Sequence, residues 1–270
     1  MNIKRPLALI CLLLLAALAA AAEPEWKYPL AANLVEGRGG YLVLTNKSAL
    51  MDGDFEPHDL VELKLRATSR GFQLRSEAAE ALGAMFKAAE DEAGLKLYVK
   101  SAYRSYQTQK TMYQGRTERY GRDDGVVAYP GSSDHQTGLG VDLLNYSWSQ
   151  REGMTPEFGQ TAEARWMEEN AARFGFILRY MPEKQDITGI IYEPWHFRYV
   201  GKPVAEYIMK NRLSLEEFSE EVKAAIAAYE AEGGDFAALC RQLNAPPDPV
   251  VLNEKDEEGD NEVSLFYQKP

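Results

Sequence analysis

Pro130-Gly131-Ser132-Ser133-Asp134-His135-Gln136-Thr137-Gly138-Leu139-Gly140-Val141-Asp142 (PGSSDHQTGLGVD) is the stretch on which the reading of this chain turns. It reads as half of a metal site, because it sets His135 and Asp142 seven residues apart in a chain whose only histidines are His58, His135 and His196. Val141, Leu143 and Leu144 surround Asp142 with apolar neighbours, which predicts a buried strand. An isolated buried carboxylate is too costly to keep, so Asp142 must be paired, protonated or metal-bound. The other half is Glu193-Pro194-Trp195-His196, which brings a second imidazole and, three residues before it, a carboxylate able to act as a base. Two imidazoles, one ligating carboxylate and one free carboxylate compose a hydrolytic zinc site. Catalytic zinc typically takes three protein ligands and leaves its fourth position open.

Working outward, Ile190-Ile191-Tyr192 and Trp195, Phe197, Tyr199 and Val200 make the second half β-rich and aromatic, and with Pro194 they exclude a helix there. Residues i and i+3 of a regular strand face opposite sides. A strand carrying both Glu193 and His196 therefore needs a bend or bulge. Upstream, Ser76 is the expected N-cap of a helix to about Glu92, with Ala78, Leu82, Met85, Phe86 and Ala89 as its apolar stripe and Gly94 as its end. Leu95 to Ser101 alternates as a half-buried strand and leads to Tyr103-Arg104-Ser105-Tyr106. A helix from about Ser105 to Tyr120 then sets Tyr106, Gln109 and Tyr113 on one face. Read as bare residues, Arg104 is a surface ion-pair partner as readily as a functional cation. Ser133 is likewise a turn hydroxyl as readily as a hydrogen bond to substrate.

Thr161 caps an expected helix from Ala162 to Phe174, closed by Gly175 and followed by a strand from Phe176 to Tyr180. Further helices are expected from Pro203 to about Asn211, from Ser214 to about Ala231, and over Asp235 to Leu243. Before all of this, residues 23–66 mix short apolar runs with turn formers, and Tyr41 to Thr45 (YLVLT) is a β-type run. This segment reads as an arm across the main domain. His58 belongs to it as an arm histidine, with no other ligand type at useful spacing.

At 45% hydrophobic and 26% charged, the composition supports one globular domain with appendages. Lys4 and Arg5 followed by an apolar run from Leu7 to about Ala22 read as a secretory signal peptide, which leaves a membrane tether only if it is not cleaved. Its loss removes two positive charges and Cys11, taking the net charge from −11 to −13 and leaving Cys240 alone. An intramolecular disulfide is then excluded, and so acidic a chain is a poor partner for nucleic acid. Glu254 to Asp260 is an acidic run expected as a solvated tail.

The block Ser133-x-His135-x6-Asp142, with Glu193-x-x-His196 and Tyr103-Arg104-Ser105-Tyr106-x-x-Gln109, resembles the VanY-type D-alanyl-D-alanine carboxypeptidases in order and spacing over roughly Tyr41 to Leu215. The resemblance implies the fold shared by lysostaphin-type enzymes, D-Ala-D-Ala metallopeptidases and hedgehog domains: α+β, a small, mostly antiparallel sheet carrying the zinc site, with helices packed against it. It implies Zn2+ held by His135, Asp142 and His196, Glu193 as general base, and Arg104 as a catalytic and substrate-binding cation. Ser133, Gln109 and Tyr106 are the other substrate-side residues. The implied reaction removes the terminal D-alanine from a peptidoglycan stem peptide, outside the cytoplasm. An L,D-carboxypeptidase, an endopeptidase and a wall-binding protein without turnover are the rivals. The expected organisation is 1–22 signal peptide, 23–70 N-terminal arm, 71–218 zinc carboxypeptidase domain, and 219–270 C-terminal helical extension and acidic tail.

Overall fold

The structure, a computed structural model, describes residues 24–245. The chain enters as an arm whose regular structure is a short helix, α1 (Ala32–Val35), and a 3-10 turn at Arg38–Gly40. Tyr41 to Thr45, expected as a β-type run, is not a strand. Its carbonyls are taken by guanidinium groups from the domain beneath: Arg198 Nη2 donates to Tyr41 O (3.0 Å) and Val43 O (2.7 Å), and Arg179 Nη2 to Thr45 O (3.4 Å). Backbone acceptors that a neighbouring strand would satisfy are satisfied by side chains instead.

β1 (Leu60–Glu62) and β2 (Gln73–Arg75) pair antiparallel and lead into α2 (Ser76–Ala93), which ends on Gly94 in the left-handed conformation. Ser76 is the first helical residue rather than the cap; its N–H donates to Asp59 O, which replaces a side-chain cap. β3 (Tyr98–Ser101) is followed by α3 (Tyr106–Tyr120), where Ser105 does cap, accepting from Thr108 N. Then come β4 (Gly140–Leu144), the short α4 (Tyr146–Ser149) and α5 (Ala162–Asn170). The helix expected to reach Phe174 tightens into a 3-10 turn over Ala171–Phe174 before Gly175. β5 (Phe176–Leu178), α6 (Gln185–Thr188) and β6 (His196–Tyr199) complete the central part. α7 (Lys202–Lys210), α8 (Leu215–Ala231) and α9 (Phe236–Leu243) close the chain, α8 with a full capping box between Ser214 and Glu217.

The central sheet has the order β3-β4-β6-β5 with every neighbour antiparallel, so the α+β architecture expected from the sequence is the one found. Its register pairs Val141 with Phe197 and Asp142 with His196. Because successive side chains alternate across a sheet, Val141, Leu143, Phe197 and Tyr199 share one face and Asp142, His196 and Arg198 the other. The first face meets the α2 stripe of Ala78, Leu82, Met85, Phe86 and Ala89 in a single core. The second face carries ionisable groups, and β4 and β6 are buried throughout their length.

A second apolar cluster joins the two ends of the described chain. Val35 of α1 packs with Val204 and Ile208 of α7 and with Leu215, Phe218 and Val222 of α8. Each such side chain, fully buried, contributes about 1.5 to 3 kcal/mol. Trp26 lies 5.2 Å from Phe236 and 5.9 Å from Tyr229, centroid to centroid, and the Tyr28 hydroxyl donates to Glu221. The signal peptide, Cys11 and the acidic tail lie outside the described residues. Within those residues, no helix is long and apolar enough to cross a membrane.

Gly138 shows how tightly the arm is drawn onto the turn between His135 and Asp142. It sits at φ 69°, and a Cβ there would lie 2.9 Å from Leu60 Cδ2, 3.0 Å from Arg75 Cγ and 3.1 Å from Pro57 Cγ. Gly138→Ala should therefore cost about 1 to 3 kcal/mol from the left-handed backbone and the crowding together. Chemical denaturation will measure it, and an unchanged midpoint would show that the arm yields freely.

Candidate metal centre and active site

Three elements bring the candidate ligands together. Asp142 and His196 are directly opposed on β4 and β6, which places their Cβ atoms about 4.5 to 5.5 Å apart on one face. His135 comes from a 3-10 turn at Asp134–Thr137 just before β4. Its Nδ1 is 2.7 Å from Ala102 O, so that nitrogen carries the proton and donates, and Nε2 is turned to Asp142 Oδ2 at 3.3 Å. His196 presents the other nitrogen: Nδ1 is 2.9 Å from Asp142 Oδ1. One ligand atom from each of His135, Asp142 and His196 lies within 4.8 Å of the others, and all three residues are buried. Two imidazole nitrogens and a carboxylate oxygen, each with its far side held or enclosed, fit zinc in type and number.

Glu193 is not on the strand. The chain turns over Pro194 and Trp195, with His196 N–H donating to Glu193 O (3.0 Å), and β6 begins at His196. The turn removes the need for a bulge, because a residue ahead of the strand is not bound by its alternation. The Glu193 Oε2 atom is 3.8 Å from His196 Nδ1. Burial, with the charge of Asp142 adding to it, pushes the Glu193 carboxyl up to about 8 against the opposing pull of His196 and Arg104. For His196, burial opposes the charged form, but the carboxylates of Asp134, Asp142 and Glu193 outweigh it and raise the imidazole to about 9. Burial and Arg104 hold His135 below the usual histidine range. Asp142 lies far below the carboxylate range because the two imidazoles overcome its burial.

Arg104 lies near these groups with neutral partners only: Nη1 donates to Gln109 Oε1 (2.7 Å) and Nη2 to Ser101 Oγ (2.9 Å). Among the described residues it has no ion pair. The register slip between Val99 and Ser101 is what turns Ser101 toward it. Gln109 is fixed in turn, its Nε2 donating to Ala128 O (2.7 Å). Arg104, Gln109, Ser133, Glu193 and the three candidate ligand residues line one cavity of about 230 Å³. Tyr106 is elsewhere: its ring lies against Gly53 of the arm, and it is not among the residues that line the cavity. The face of α3 turned to the cavity is Gln109, Met112 and Arg116.

Sequence reasoning missed a set of charges behind the ligands. Asp134, Arg179, Arg198 and Glu216 are buried, with Arg179 paired to both Asp134 (2.8 Å) and Glu216 (2.7 Å) and Arg198 paired to Asp134. The signal existed in Phe176-Ile177-Leu178-Arg179 and His196-Phe197-Arg198-Tyr199, where a cation sits inside an apolar strand run. The argument applied to Asp142 holds for them equally.

Comparison with known proteins places this arrangement. Residues 71–202 match the VanY family model, described as D-alanyl-D-alanine carboxypeptidase. YodJ of Bacillus subtilis (strain 168), provisionally named a carboxypeptidase, is 44% identical over 67% of this chain and 68% of its own. The solved LdcB LD-carboxypeptidase is 42% identical with a TM-score of 0.62, covering 67% of this chain and 86% of that one. The vancomycin resistance D,D-pentapeptidase VanY, solved as a point mutant in complex with Zn(II), is 32% identical with a TM-score of 0.53, covering 66% of this chain and 98% of that one. The chain belongs to the VanY family, whose members are zinc metallo-carboxypeptidases.

The raised Glu193 carboxyl has a consequence for stability. Below pH 4.5 the folded and unfolded states both hold its proton. Between 4.5 and about 8 the unfolded chain releases it first, so stability is lost as pH rises through that window. Glutamine resembles the protonated acid and has no such loss. Metal-free Glu193→Gln should therefore melt higher than metal-free wild type at pH 9, by roughly 5 °C or more, with the gap closing toward pH 4.5. A gap that is constant with pH would mean that the carboxyl is not raised.

Proposed function

We propose that this carboxypeptidase releases the terminal D-alanine of peptidoglycan stem peptides, with His135, Asp142 and His196 as the zinc ligands and Glu193 as the general base. The observation that carries the reading is the convergence on one cavity of the ligand group, Glu193 and an Arg104 that has no ionic partner among the described residues. Zinc held there supplies a Lewis acid and lowers the pKa of water. Glu193 accepts the proton of the attacking water and hands it to the leaving amine, a role its place beside the ligand group allows, Oε2 lying 3.8 Å from His196 Nδ1. Arg104, its guanidinium plane set by Gln109 and Ser101, offers its charge to the peptide's terminal carboxylate or to the developing oxyanion. Ser133 lines the same cavity and adds a hydroxyl. A wall substrate requires action outside the cytoplasm, and Lys4, Arg5 and the apolar run behind them support export.

For the residue before the terminal D-alanine, the family description favours D-alanine, and a pentapeptide stem is the substrate expected from it. The greater likeness to an LD-carboxypeptidase than to the D,D enzyme supports a tetrapeptide stem with an L-residue there. D-alanine released from the two peptides, incubated separately with zinc-loaded protein and followed by mass spectrometry, will decide. Faster release from the tetrapeptide is expected. Faster release from the pentapeptide would return the assignment to D,D, and release from neither would favour a wall-binding protein without turnover.

Glu193→Gln should keep stoichiometric zinc and lower kcat by about 10² to 10⁴, the usual contribution of a positioned acid or base. Elemental analysis with steady-state kinetics will test both halves, and a fully active variant would refute the role.

A further inference from the structure

The His196 imidazole has a second nitrogen that the proposed chemistry does not use. Nε2 is buried and makes no hydrogen bond among the described residues. On its side stands Asp134, whose Oδ2 is 3.8 Å away, too far for a bond as the side chains lie. The accounting of that carboxylate leaves room for one. Oδ1 accepts from Arg198 Nη1 and from Thr45 Oγ1 (3.1 Å), but Oδ2 accepts only from Arg179 Nε (2.8 Å). A carboxylate offers about four lone-pair sites, two on each oxygen, so Oδ2 has one unspent. The ring cannot easily turn elsewhere: the Tyr180 ring lies tilted against it at 4.9 Å and the His135 ring edge-on at 4.9 Å.

We propose that Asp134 is the positioning carboxylate of His196, its Oδ2 accepting a hydrogen bond from Nε2–H and so holding the ring with Nδ1 toward Asp142 and the cavity, where a metal would take the place of the Nδ1 proton. The inference rests on the ligand set proposed above. A histidine that binds a metal through one nitrogen is oriented by what its other N–H donates to. His135 already shows the arrangement with the nitrogens exchanged, Nδ1 held by Ala102 O. The turn Asp134–Thr137 thus serves both imidazoles, supplying one through His135 and orienting the other through the residue beside it. Asp134 is itself immobilised by Arg179 and Arg198, which are anchored to the arm and to Glu216 of α8. Its role is to act through His196 and not on substrate.

The test uses zinc-loaded wild-type protein labelled with 15N-histidine, in which two-dimensional NMR has only three imidazoles to separate. Expected is a His196 ring metallated at Nδ1 with a downfield, slowly exchanging Nε2 proton. Metallation at Nε2, or an Nε2 proton that is neither shifted nor protected, would overturn the inference while leaving His196 a ligand. A His196 ring indifferent to zinc would overturn the ligand set instead. A chelator competition gives an independent reading. Asp134→Asn should weaken zinc binding by about 10- to 100-fold, whereas Thr45→Val, which removes a different bond to the same carboxylate, should change it by less than about twofold. Equal losses in both variants, or no loss in Asp134→Asn, would count against Asp134. If Asp134→Asn does not fold, the wild-type spectrum alone decides.

Discussion

The antiparallel register of β4 against β6 is the constraint on which the site depends. It opposes Asp142 to His196 and Val141 to Phe197 in the same ladder. One residue of slippage would send the carboxylate into the apolar core and bring a valine to the polar face, because the side-chain period is two. The packing of α2 on the Val141 and Phe197 face therefore does more than stabilise the sheet. It prevents the slip, and so fixes where Asp142 and His196 stand.

A polar face that is buried needs compensation, and here it is arranged in two differing groups. Asp134, Arg179, Arg198 and Glu216 form a neutral set, two anions against two cations, with nearly every donor directed at a carboxylate or a backbone carbonyl. Such sets contribute little net stability compared with apolar packing, but removal of one member typically costs about 3 to 5 kcal/mol by leaving a buried charge alone. Glu216 comes from α8, and the carbonyls of Tyr41, Val43 and Thr45 come from the arm. Both flanking segments thereby complete the electrostatics of a sheet that neither belongs to. Their mutual packing through Trp26, Phe236, Val35 and Phe218 is the apolar counterpart of the same closure.

Local spacing makes much of this legible in the sequence. The α2 stripe is found where its 3.6-residue period put it, and the rarity of histidine directed attention to His135 and His196. Non-local facts were not legible. Nothing in the run Tyr41 to Thr45 says that its acceptors will meet arginines 134 or more residues away instead of a strand. Tyr106 and Tyr113 suggest one face of α3. The true face, Gln109, Met112 and Arg116, has the same spacing three residues on, and spacing alone cannot phase a polar helix. Pro194 did carry the information that Glu193 lies off the strand, since proline interrupts a ladder. Reading it as a strand position created a bulge that the molecule does not need.

The contrast between the two polar groups separates charge that holds the fold from charge that is left for chemistry. In the Asp134 set each cation meets an anion within 2.8 Å or closer, and no ligand is required to satisfy it. Around the cavity the pattern is different. Arg104 is desolvated and held by two neutral oxygens, and burial lowers its affinity for its own proton. In the metal-free site, burial and the charge of Asp142 push the Glu193 carboxyl up to about 8. With a divalent cation on His135, Asp142 and His196, and with Arg116 neutralised by Asp124, the cavity would hold one positive charge in excess once Glu193 is ionised. A peptide ending in a free carboxylate supplies the missing negative charge, whereas an internal peptide bond does not. The electrostatics of the cavity therefore favour cleavage at a chain end over cleavage within a cross-link, and they do so without reference to the stereochemistry of the residue released.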